Sequence, residues 1–133
     1  CTVRNNSCCG IELQDGTASG VTMSGNTVED QADSGMSAIG LTSGAGPNLI
    51  EDNVLSDNGR FGIEIKMPNG TGLASGDGSI VVRGNTVERT AVPVDVRDLA
   101  GIAIHRRGYS AGQGYVDVPT GVIVSENTVQ GYQ

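Results

Sequence analysis

The stretch Val21-Thr-Met23-Ser-Gly-Asn26-Thr-Val28 returns as Ile80-Val-Val82-Arg-Gly-Asn85-Thr-Val87 and again as Val122-Ile-Val124-Ser-Glu-Asn127-Thr-Val129. A weaker copy, Asn48-Leu-Ile50-Glu-Asp-Asn53-Val-Leu55, fills the interval between the first two. The chain opens with a further match, Cys1-Thr-Val3-Arg-Asn-Asn6-Ser-Cys8. Five copies in 133 residues mark a repeat architecture, and this decides the fold before any single motif does.

Within each copy apolar residues stand two apart, which is the period of a strand. A second alternating phrase lies between the copies: Gly10-Ile11-Glu12-Leu13, Ala38-Ile39-Gly40-Leu41, Gly62-Ile63-Glu64-Ile65 and Gly101-Ile102-Ala103-Ile104. Each unit therefore reads as a strand, a loop, a second strand, a tight corner at Asn and a short third strand. Such units bury their apolar face only by stacking, coil on coil, at the ~4.8 Å strand spacing of a parallel β-helix. Asn suits the corner because it tolerates a left-handed backbone and its amide can bond the amide of the next coil. Asn6, Asn26, Asn53, Asn85 and Asn127 are thus expected to form an internal ladder, with Asn53 and Asn85 buried. Their spacings of 20, 27, 32 and 42 residues put the extra length into surface excursions.

Through the Gly-Ile-x-Ile strand and the Asn-Thr-Val phrase, nearly the whole chain resembles the right-handed parallel β-helix repeat proteins. This pectate-lyase-like superfamily includes pectate lyases, polygalacturonases, alginate epimerases and phage tailspikes. The resemblance implies an all-β, right-handed solenoid of about four to five coils with three strands per coil and essentially no helix. It says little about activity, since fold does not fix function. The Asp-Pro-His box of alginate epimerases is absent.

One domain, 1–133, is expected from the length. Twenty-one glycines, no Trp and four aromatics suit a thin-walled solenoid better than a large globular core. The missing initiator Met and the lack of a readable capping helix suggest a piece of a longer protein. They also suggest end-to-end or lateral self-association through uncapped coils. The net charge of −7 argues against nucleic acid and anionic membrane surfaces as partners. No apolar run reaches 18 residues, so no membrane insertion is expected. By the repeat register, Cys1 and Cys8 point inward as small hydrophobes and Cys9 points out. A disulfide of Cys1 with Cys8 or Cys9 fits only an oxidising compartment, and cysteine metal binding lacks a Cys-x-x-Cys spacing.

A single histidine excludes His-pair zinc sites. No Walker loop occurs. The positive case rests on the outward side of the Ile-x-Ile strand. Aligning its copies places Glu12, Gly40, Glu64 and Ala103 in one column, and Gln14, Thr42, Lys66 and His105 in the next. Lys66 and His105 should then be neighbours with Glu64 beside them. Arg106 and Arg107 follow directly, and the two longest excursions, 67–79 and 106–121, leave the same strand on the same two coils. Tyr109 and Tyr115 in the second excursion could stack on sugar rings.

That set suits an extended acidic polysaccharide. A lyase or epimerase needs cations to neutralise a uronate carboxylate, here Lys66, Arg106 and Arg107, and a base for the C5 proton, here His105 or Lys66. Glycoside hydrolysis would instead need a carboxylate pair, for which Glu64 with Asp95 or Asp98 is the candidate. No cofactor is required, although Asp77, Asp95 and Asp98 could hold Ca²⁺. The competing reading is an ordinary solvated Glu64–Lys66 pair with His105 as a bystander. Three functions stay open: a secreted or cell-surface carbohydrate-active segment, a non-catalytic extracellular or phage adhesin, and a structural spacer.

Overall fold

The computed structural model describes residues 1–13, 18–39, 47–66, 77–91, 99–105 and 120–132. Every regular element among them is a strand: β1 (Thr2–Arg4), β2 (Ile11–Leu13), β3 (Thr22–Ser24), β4 (Thr27–Glu29), β5 (Met36–Ile39), β6 (Asn48–Glu51), β7 (Val54–Ser56), β8 (Phe61–Lys66), β9 (Asp77–Arg83), β10 (Thr86–Glu88), β11 (Ala100–Ile104), β12 (Thr120–Ser125) and β13 (Thr128–Gln130). Three sheets take every third strand in turn, in the orders β1-β4-β7-β10-β13, β2-β5-β8-β11 and β3-β6-β9-β12. All pairings are parallel. Among the described residues this makes a β-helix of four three-stranded coils followed by one further strand.

The alternation read from the sequence sorts the side chains. Val28, Leu55 and Val87 form one fully buried column, Ile50 and Val82 a second, and Met36 and Ile63 a third. Where the chain turns into the second sheet, glycine is required. A Cβ on Gly62 would overlap Val87 Cγ1, and Gly10, Gly35 and Gly101 meet the same column of side chains. The last coil is less covered, with Val124 47% and Val129 45% exposed.

The corner ladder runs through Asn26, Asn53, Asn85 and Asn127. The Oδ1 atoms of Asn53, Asn85 and Asn127 each accept both the backbone N–H and the Nδ2 of the Asn one coil earlier, at 2.8–3.1 Å. Asn53 and Asn85 also donate from Nδ2 to the carbonyls of Met23 and Ile50, both at 2.9 Å. Both residues are 1% exposed. The left-handed backbone belongs to the preceding residue instead: Gly25 (φ 63°), Asp52 (55°), Gly84 (63°) and Glu126 (57°).

The first coil corrects the sequence register. Thr2 pairs with Thr27, and the Cys1 carbonyl accepts from Thr27 N–H at 2.8 Å as Asn26 does from Val54, so Cys1 stands at the Asn position. Asn6 leaves the main ladder and joins a second one. Its N–H and Nδ2 donate to Gln31 Oε1, and Gln31 N–H donates to Asn58 Oδ1. The first coil is accordingly 25 residues long rather than 20. Cys1 and Cys8 are exposed, while Cys9 is the half-buried one, the reverse of the expected pattern. The reason is chemical as well as geometric: Thr2-Val3 matches Thr27-Val28 and Thr86-Val87 as strand, and Cys1 precedes it where Asn precedes the others.

Candidate functional site

The outward residues of β8 carry the site. Ile63 and Ile65 point into the core, so Glu64 and Lys66 share the outer face two residues apart. β11 pairs with β8 so that Ala103 lies beside Glu64, and His105 N–H donates to the Ile65 carbonyl at 3.1 Å. Ala103 has no bulk to hold the coils' side chains apart, which leaves room for the His105 ring to fold over Glu64. On the other flank the neighbour of Glu64 is Ser37, not Gly40, because β5 pairs as Gly35-Met36-Ser37-Ala38. Ile39 occupies the place expected for Thr42 beside Lys66.

Glu64 is the centre of the cluster and is only 3% exposed. Its Oε1 accepts from Lys66 Nζ at 2.9 Å and bonds His105 Nε2 at 2.8 Å. Its Oε2 accepts from Ser37 Oγ at 2.9 Å and Ser34 Oγ at 3.3 Å. Four partners thus occupy both oxygens. Burial alone would raise the Glu64 pKa, but the bonds from His105, Lys66 and Ser37 and the Lys66 charge outweigh it and hold the carboxyl at about 2. Phe61 flanks the imidazole, with ring centroids 5.2 Å apart and planes at 43°, and the Arg60 guanidinium lies 4.9 Å over the Phe61 ring.

The carboxylate is therefore a fixed anion that positions two side chains of greater exposure, Lys66 at 17% and His105 at 35%. With Nε2–H donated to Glu64, the proton-accepting nitrogen of a neutral His105 is Nδ1. The Lys66 ammonium has three N–H groups, of which Glu64 takes one. Such a pair can hold a ligand carboxylate and accept a proton beside it.

Of the candidate residues, Glu64, Lys66 and His105 come together. Arg106, Arg107, Tyr109 and Tyr115 lie outside the described residues, as do Asp95 and Asp98, and with them the hydrolytic pairing of Glu64 and two of the three Ca²⁺ candidates. Asp77 begins β9 and Thr120 begins β12, so the excursions are shorter than 67–79 and 106–121. Ser34, Ser37 and Phe61 were not legible as site residues. The glycines Gly10, Gly35, Gly62 and Gly101, aligned as a column, were the signal that would have placed Ser37 beside Glu64.

A family model described as the right handed beta helix region matches residues 1–131. No curated protein and no solved structure matches the chain.

Proposed function

The chain belongs to the right-handed β-helix family, and from that premise we propose that it binds an extended acidic polysaccharide across the outer face of β8 and β11. The observation that carries the reading is the sharing of Glu64 Oε1 by Lys66 and His105. An ordinary surface pair would leave its carboxylate in water, whereas here a buried carboxylate with four partners holds a cation and an imidazole at fixed positions. Lys66 stands at this face, and Arg106 and Arg107 follow His105 directly in the sequence of a chain with net charge −7, which favours a ligand bearing carboxylates. Successive coils repeat at the strand spacing, a geometry that fits a polymer better than a compact ligand.

Within this reading the enzymatic form is proton abstraction next to a uronate carboxylate, with Lys66 neutralising the carboxylate and His105 taking the proton. In hydrolysis Glu64, held ionised, would serve as the base or nucleophile of its pair, and the proton would have to come from another carboxyl. Binding without turnover would make the chain an adhesin module. Either form places it where polysaccharide is met, in secretion or at a cell surface.

The test is a glycan array followed by turnover assays on uronate polymers. Replacing Lys66 and Arg106 by Ala should abolish binding at a temperature where the variant is still folded, while Arg4→Ala with Arg83→Ala should leave binding intact. Equal behaviour of the two pairs would remove the site.

A further inference from the structure

Away from the Glu64 cluster, Cys8 and Cys9 of the first coil meet Asp33 of the second. One donor atom from each lies within 4.8 Å of the others, and the two sulfurs are 3.6 Å apart. The coil register holds them there: Asp33 N–H donates to the Cys8 carbonyl at 3.0 Å, and Gly10 N–H donates to the Ser34 carbonyl at 3.1 Å. A tetrahedral zinc with sulfurs at about 2.3 Å needs those sulfurs roughly 3.8 Å apart, and a sulfur and a carboxylate oxygen roughly 3.5 Å apart. The sulfur pair already has that separation. Cys8 is exposed, so its side chain can rotate toward a metal without disturbing the core.

Two independent features single out these residues. Asp33 Oδ1 is shielded from solvent yet makes no hydrogen bond, and its charged neighbour, Arg60 Nη1, stands at 3.7 Å. Buried acceptors without a donor are rare, and an unseen ion is among their ordinary explanations. The second feature is the donor set itself, two soft thiolates and one hard oxygen, which matches zinc and its relatives and not calcium or magnesium.

We propose that Cys8, Cys9 and Asp33 form a site for a single thiophilic divalent cation, zinc being the type, which fastens the first coil to the second. Binding forms two metal–sulfur bonds and one metal–oxygen bond, and the two thiol protons pass to solvent. The bound centre carries one net negative charge, which Arg60 offsets. Three protein ligands leave the fourth tetrahedral position to water.

The test is titration of the reduced full chain, kept under a non-thiol reductant, with Co²⁺ and then Zn²⁺. One equivalent of cobalt should give thiolate charge-transfer and tetrahedral d–d absorption, and one equivalent of zinc should bleach it. Cys8→Ser and Asp33→Asn should each weaken binding by about tenfold or more. Cys1→Ser, which lies outside the cluster, should not. Zinc should raise the melting temperature of the parent and fail to do so in Cys8→Ser, whose exposed position leaves packing untouched. Absence of saturable one-to-one binding by the parent, or binding that survives both Cys8→Ser and Asp33→Asn, overturns the proposal.

Discussion

Glu64 and His105 are 41 residues apart in the chain and 2.8 Å apart in space. The coil between them explains both numbers: one turn of the solenoid consumes the intervening residues and returns the backbone one strand spacing away, with Ala103 directly beside Glu64. A carboxylate on one coil can therefore fix an imidazole on the next. Lys66, two residues on along the same face, completes the arrangement.

Removing the centre should cost more than removing the pair. Glu64→Ala strips Lys66 and His105 of their shared acceptor and leaves Ser34 and Ser37 without theirs. A loss of about 3 kcal/mol is expected, the lower end for breaking a buried ion pair. Glu64→Leu combined with Lys66→Met removes both charges and should recover most of it. Denaturant unfolding of the three proteins checks this, and a double variant as unstable as the single one would contradict it.

The same carboxylate sets an acid limit. Its folded pKa of about 2 lies below the ordinary value of 4.5, so folding favours the ionised form. The stabilisation is complete above about pH 4.5 and is lost as pH falls from there through about 2. Glu64→Gln lacks this titration. The stability gap between parent and variant should thus narrow across that window, measured as urea midpoints at successive pH values. A gap independent of pH would show that Glu64 is not held ionised.

The Asn ladder should be intolerant of apolar replacement. Asn85→Leu leaves Asn53 N–H without its acceptor in the interior, strips Asn53 Nδ2 of one of its two acceptors and removes the Asn85 amide from the Ile50 carbonyl. Each orphaned group costs about 1–3 kcal/mol. Thr86→Ser, at the half-buried outward neighbour, should stay within about 0.5 kcal/mol of the parent. Thermal unfolding distinguishes the two, and an Asn85→Leu protein that melts with the parent would remove the ladder from the account of stability.

Much of this was legible in the sequence because a solenoid repeats its physics. The period-two alternation of strands such as Ile80-Val-Val82 and the recurrent Asn-Thr-Val gave the strands, the parallel stacking and the main ladder. Register was harder where repeats diverge. Cys1-Thr2-Val3 stands for Asn-Thr-Val with the Asn replaced, and Gly35-Met36-Ser37-Ala38 was hidden by the more hydrophobic Ala38-Ile39-Gly40-Leu41. Those slips moved the cysteines to the wrong faces and left Ser37 out of the site. The juxtaposition of Cys8 and Cys9 with Asp33 was invisible for the same reason, since the carboxylate comes from the next coil.

The most direct measurement uses the chain's single histidine. Imidazole ¹⁵N resonances of His105 can be followed while a uronate oligosaccharide is added to the full chain. The expected result is a saturable shift of the His105 signals that disappears in Lys66→Ala and in Glu64→Gln and persists in Arg83→Ala. Unchanged resonances at saturating oligosaccharide, or a shift indifferent to Lys66 and Glu64, would contradict the assignment of polysaccharide binding to this face.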